Sequence, residues 1–172
     1  SYELETIISE GIDDMYVKNN DRYYYITLMN ENYIHPERPD NATPDNIMKG
    51  AYCFFKPKNP DFRVLASGLT LNFALDAQDT LNELGIEIEI WSVTSFNELY
   101  KDGIESERNE RYFNKSAKPY VSSIFNDPIP TLAVSEYQRA YANQIRRWSN
   151  AEYIALGTDG FGRSDTREKL RD

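Results

Sequence analysis

The pattern of this chain calls for an α/β unit: an open, mostly parallel sheet flanked by helices. Three adjoining segments set that expectation. Phe62-Arg63-Val64-Leu65-Ala66 is short, apolar and β-prone, and it stops at Ser67-Gly68. A run with Leu71, Ala74, Leu75, Leu81 and Leu84 on one helical face follows. It closes at Gly85, in the position just past a helix end that favours glycine. Ile86 to Trp91 then alternates Ile86, Ile88 and Ile90 with Glu87 and Glu89, as a strand with one apolar face would. Strand, helix and strand in about 30 residues make a βαβ unit, which implies parallel strands and a right-handed crossover.

The other elements follow along the chain. Tyr2 to Val17 reads as an amphipathic helix, with Leu4, Ile7, Ile8, Ile12 and Met15 at helical spacing and Glu3, Glu5, Glu10 and Asp13 opposite. Lys18-Asn19-Asn20-Asp21 is a turn. Tyr23 to Met29 is continuous, aromatic and β-branched, so a strand buried on both faces is expected. The loop Asn30-Glu31-Asn32-Tyr33-Ile34-His35-Pro36 comes next. Pro36, Pro39 and Pro44, with almost no aliphatic residue between Glu37 and Asp45, mark an extended, non-helical linker. A domain boundary is therefore set there, dividing the chain into residues 1–36, a linker at 37–47, and residues 48–172. Helices are expected at Ser95–Tyr112, Tyr120–Phe125 and Glu136–Trp148, and strands at Thr131–Val134 and Tyr153–Leu156. Both ends read as interrupted. The first helix has no capping segment before it, and the one opened by Ser164 or Asp165 has barely two turns.

Composition narrows the function classes. The 172 residues suffice for one domain with a real core and are too few for two full ones. A formal net charge of −9 repels a phosphate backbone, so nucleic-acid binding is not expected. Arg163, Arg167, Lys169 and Arg171 interleave with Asp165, Glu168 and Asp172, which reads as a solvated helix face rather than an anion site. The one cysteine, Cys53, lies in the apolar run Ala51-Tyr52-Cys53-Phe54-Phe55 and reads as a small core residue. No signal peptide and no apolar run of the ~20 residues needed to span a bilayer are found, so no membrane is expected and the cytoplasm is the default location. The 13 tyrosines suit interfaces as well as cores.

Self-sufficient catalytic equipment is scarce. Gly157-Thr158-Asp159-Gly160-Phe161-Gly162 matches neither common phosphate-loop spacing. One histidine and one cysteine do not make a zinc site. His35 is the one imidazole available for acid–base work near neutral pH. It sits in a polar loop past the end of an expected strand, where open α/β sheets place ligands, among the donors and acceptors of Asn30, Glu31 and Asn32. On these grounds alone a surface histidine before a proline is the favoured reading. The loop from Gly157 to Ser164 reads as a tight strand-to-helix turn, with an anion site at the helix start as the alternative. Tyr23 to Tyr25 belong to an aromatic strand rather than a base-stacking platform.

Three segments in order carry a family resemblance: Tyr24 to Tyr33, Ser92 to Leu99 with Asp102-Gly103, and Gly157 to Arg167. Together they resemble the homodimeric, thiamine diphosphate-dependent pyruvate dehydrogenases, the acetyl-transferring first component of the bacterial complex. The glycine-rich loop is also similar to a turn of transketolases. The resemblance implies that residues 1–36 end a pyrimidine-binding domain, contributing its last helix and strand. Residues 48–172 would then form most of a transketolase-like C-terminal domain. It further implies decarboxylation of pyruvate and acetyl transfer to the lipoyl group of dihydrolipoyl acetyltransferase by a homodimer. Thiamine diphosphate and Mg2+ would be held mainly by residues outside this chain. His35 resembles the family's active-site histidine, with orientation and proton donation as its roles, and Glu31 is a second candidate for that pocket. The competing expectation is a dimerisation or interaction module of a related transketolase-like or 2-oxo acid dehydrogenase enzyme. A free-standing nucleotide-binding domain is least supported, for want of a phosphate loop.

Overall fold

The computed structural model describes residues 1–29, 32–115, 117–162, 164–166 and 169. Its five-stranded sheet has the order β1-β3-β2-β4-β5. The strands are β1 (Tyr52–Phe55), β2 (Phe62–Ala66), β3 (Ile88–Ser92), β4 (Thr131–Gln138) and β5 (Tyr153–Thr158). β2 pairs in parallel with both β3 and β4, and β4 with β5, while β1 runs antiparallel on the β3 edge. The βαβ unit is present as expected. β2 leads through α3 (Thr70–Glu83) to β3, and Gly85 follows the helix with φ +75°.

Side-chain alternation sorts the sheet into two faces. Val64, Ala66, Ile88 and Ile90 turn towards α3 and pack with its Leu71 and Ala74. Leu65, Trp91, Ala133 and Ala155 turn the other way, into the larger core. That core is closed by Phe96 and Leu99 of α4 (Phe96–Phe113), Val121 of α5 (Tyr120–Ile124) and Ala142 of α6 (Arg139–Asn143). Ser95 caps α4 by accepting the Glu98 amide at 3.1 Å, an arrangement worth about 1 kcal/mol. The Asp102 carboxylate accepts the first amide of α5 at 2.6 Å. Among the described residues, no helix is long and apolar enough to cross a membrane.

Four expectations change. Tyr23 to Met29 is not a strand buried on both faces. It carries no ladder, since the five strands pair among themselves, and a strand without a hydrogen-bonded neighbour is not stabilised. Tyr23 and Tyr25 are 89% and 87% exposed, whereas Tyr24 packs over Gly11 of α1 (Tyr2–Ile12). The linker is not wholly extended: Pro44–Met48 forms the short helix α2, with Pro44 in its first turn and the Thr43 hydroxyl accepting the Asn46 amide. β4 runs to Gln138, so the helix expected at Glu136–Trp148 starts only at Arg139, with α6 over Arg139–Asn143 and a 3-10 turn over Arg146–Trp148. Gln138 instead continues the ladder to Thr158 past an irregularity, and the Ser135 hydroxyl accepts the Tyr137 amide there. Glu89, on the polar side of the expected alternation, is fully buried beside Arg63. α1 itself continues as a wider turn over Asp13–Val17, close to the helix expected. The helix opened by Ser164 or Asp165 falls mostly on residues outside the described ones.

Candidate active site

β1 and β3 place Tyr52 directly opposite Ser92 at the carboxyl end of β3. Open α/β sheets gather ligands at that edge. Both residues are buried, and both hydroxyls donate to one oxygen of Glu3 on α1, Tyr52 at 2.6 Å and Ser92 at 2.7 Å. Tyr52 has one proton and gives it to the carboxylate. The Tyr2 hydroxyl, 2.7 Å from that of Tyr52, is therefore the donor in their contact. Glu3 reaches His35 with its other oxygen, Oε2 lying 3.4 Å from Nε2.

The His35 side chain is only 15% exposed, which sets aside the reading as a surface histidine. Its ring meets Tyr2 edge-on at 4.7 Å, and Tyr33 lies at 6.4 Å. Its Nδ1 lies 3.1 Å from the Pro36 carbonyl. Asn72 of α3 donates to the Ile34 carbonyl at 2.9 Å, pinning the loop to the sheet's helix layer. The Glu3 contact raises the His35 pKa above the ordinary histidine value against the opposing effect of burial, and the Pro36 carbonyl adds to it. Burial disfavours the Glu3 carboxylate, but the bonds from His35, Tyr52 and Ser92 outweigh it and hold its pKa below the ordinary one. Burial, and then the Glu3 charge, push the Tyr52 hydroxyl far above the ordinary tyrosine range, so it stays a donor.

This arrangement sets an imidazole of raised pKa against a buried carboxylate. Glu31 lies outside the described residues, as does Asn30. Glu3 was missed from sequence, because it sits among several acidic residues on the polar face of an amphipathic helix and only the fold aims it inward. The other loop singled out from sequence begins at Gly157, within β5. The end of β5 and the start of α6 border a shallow cavity of about 230 Å³, lined by Gln138, Arg139, Thr158, Asp159, Gly160 and Phe161 among others. Arg139 is engaged there by Asp159 at 3.3 Å, so Asp159 closes an ion pair in the turn. Among the described residues no three His, Cys, Asp or Glu side chains are grouped to hold a metal ion.

The pyruvate dehydrogenase E1 component of Pseudomonas aeruginosa is 42% identical over 179 residues, covering 99% of this chain and 20% of that protein. Its counterpart in Escherichia coli is 38% identical over 178 residues, with the same coverage. The chain thus spans about a fifth of the length of these relatives. A transketolase structure from Pichia stipitis superposes with a TM-score of 0.52 at 20% identity, over 77% of this chain and 17% of that one. A transketolase from Campylobacter jejuni gives 0.50 at 21%, over 78% and 17%. These two likenesses concern the fold. The profile of the transketolase-like TK C-terminal domain matches residues 50–172, and the chain belongs to that family.

Proposed function

We propose that this chain supplies the histidine-bearing rim and the C-terminal domain of a thiamine diphosphate-dependent pyruvate dehydrogenase. The whole enzyme, working as a homodimer in the cytoplasm, decarboxylates pyruvate and passes the acetyl group to the lipoyl group of dihydrolipoyl acetyltransferase. The observation behind this reading is similarity along 99% of the chain to pyruvate dehydrogenase E1 components, including the segment that bears His35. Residues 1–36 would end the pyrimidine-binding domain, 37–47 would link, and 48–172 would form the transketolase-like domain.

The cofactor supplies the electron sink for decarboxylation. His35 orients the substrate-derived group and gives it a proton from a ring nitrogen, which exchanges its contact to Glu3 or Pro36 for the substrate as it does so. The Tyr2–Tyr52–Glu3 chain keeps the imidazole fixed, so its orientation is set before substrate arrives. Glu31 is assigned to the same pocket. In the full-length polypeptide, His35→Ala is expected to slow pyruvate-dependent acetyl transfer by ~10²-fold or more with the fold retained. Unchanged turnover would remove His35 from the mechanism. The isolated chain should bind no thiamine diphosphate with Mg2+ in calorimetry, and tight binding there would contradict the placement of the cofactor's ligands elsewhere.

An exposed apolar stripe supports a protein contact as part of the same enzyme. Ile8, Ile12 and Tyr16 recur every four residues on one side of the first helix and its continuation, and Val17, Tyr23 and Tyr25 lie exposed beyond them. We assign this stripe to subunit or domain contact. Sedimentation of the chain at high concentration tests it: self-association is expected, and a strict monomer counts against a contact between copies.

A further inference from the structure

We infer that Glu3 is a positioning residue that, with the Pro36 carbonyl, holds His35 as a doubly protonated imidazolium. The inference deepens the reading of His35 as a proton donor and rests on it for its catalytic consequence.

The geometry decides the proton count. Nδ1 faces a backbone carbonyl oxygen at 3.1 Å, and a carbonyl only accepts. Nε2 faces Glu3 Oε2 at 3.4 Å. The other oxygen of that carboxyl already accepts two hydroxyl protons, from Tyr52 and Ser92, which stabilises the ionised form. Both ring nitrogens therefore point at acceptors. A neutral imidazole would set a lone pair against one of them, whereas the cation satisfies both.

From α1 the ring meets Glu3 and the edge of Tyr2. Arg38 lies over the far Tyr2 ring at 5.9 Å. Tyr33 flanks the ring within its own loop and feels the charges of Glu3 and Glu136. β1 and β3 act through Tyr52 and Ser92 on Glu3. α3 contributes the uncharged Asn72 to the loop backbone. Glu3 is the carboxylate in direct contact with the ring. His35 thus enters the reaction as an acid below its raised pKa, and activity should fall as pH rises through it.

His35 is the one histidine in the chain, so its ring signals in nitrogen and carbon NMR stand alone. The titration midpoint of the wild-type chain should exceed ~6.5, with both ring nitrogens resonating as protonated below it. Glu3→Gln should bring the midpoint to or below that value, and Glu3→Asp should restore part of the rise. A midpoint at or below ~6.5, or one unmoved by Glu3→Gln, overturns the inference. If Glu3→Gln fails to fold, the wild-type nitrogen shifts decide alone. In the full-length enzyme Glu3→Gln should move the alkaline limb of kcat to lower pH while KM for pyruvate changes less than kcat. An ordinary titration alongside an inactive His35→Ala enzyme would sink this inference and leave the function standing. A raised midpoint with a fully active His35→Ala enzyme would do the reverse.

Discussion

Arg63 and Glu89 face each other across the β2–β3 ladder, both fully buried, with Nε 3.0 Å from Oε2. Glu89 also accepts the Trp91 indole N–H at 2.9 Å and meets Lys56 at 3.2 Å. Arg63 lies 5.0 Å from the Phe125 ring centre, and its two terminal nitrogens have no hydrogen-bond partner among the described residues. Such a pair is costly to desolvate and still more costly to halve. Arg63→Met and Glu89→Leu should each destabilise the fold by ~3–5 kcal/mol in urea unfolding. The double variant should recover much of that loss, and strict additivity would show that the two charges do not compensate each other.

Gly103 on α4 admits the Trp148 ring, since a Cβ there would lie 2.4 Å from the indole. The indole N–H also donates to Glu107 at 3.0 Å, so the ring is held in place and has little room to retreat. Gly103→Ala would raise helix propensity by about 1 kcal/mol on an open helix. Here it should instead destabilise by about 1–3 kcal/mol, the usual penalty for overpacking. A higher melting temperature for this variant would mean that the Trp148 ring moves aside freely.

The Glu3–His35 pair sets a pH dependence with a definite sign. His35 has a raised pKa when folded, so its contribution is complete below its unfolded value of ~6.5 and fades as pH rises through the folded one. Glu3 has a lowered pKa, so its contribution is present above its unfolded value of ~4.3 and is lost as pH falls through the folded one. The pair therefore stabilises most between those two unfolded values. The stability advantage of wild type over Glu3→Gln should be about 1.5–3 kcal/mol near pH 5.5, the range for hydrogen bonds to charged groups. It should shrink by pH 9. An advantage that grows towards pH 9 would reverse the assigned protonation states.

What could be read in advance follows from how local each signal is. The βαβ unit was legible because apolar spacing and Gly85 act within a few residues, and β2 falls on the expected Phe62–Ala66. β1 was passed over because Tyr52–Phe55 is short and takes its strand character from the neighbour β3. Tyr23 to Met29 misled in the opposite sense: its residues favour a ladder, and among the described residues no strand pairs with that segment. At the site, His35 stood out by composition. Its partners did not, because residues 3, 35, 52 and 92 meet only through the β1–β3 register and the packing of α1.

Cys53 offers a last test of the β1–β3 edge. It pairs with Trp91 across that ladder and packs against the larger core. Burial, and then the charge of Glu89, push its thiol up to about 11, with Lys56 and Arg63 opposing. The thiolate is the reactive form, so at pH 8 only ~10⁻³ of the native thiol is available. A free cysteine near pKa ~8.5 would be about one quarter ionised under the same conditions. Iodoacetamide at pH 8 should therefore modify the native chain on the order of 10²-fold more slowly than the urea-unfolded one. Glu89→Gln should speed the native reaction if the fold holds, because it removes the charge that opposes the thiolate. Equal rates for native and unfolded chains would place Cys53 in solvent and β1 away from the sheet.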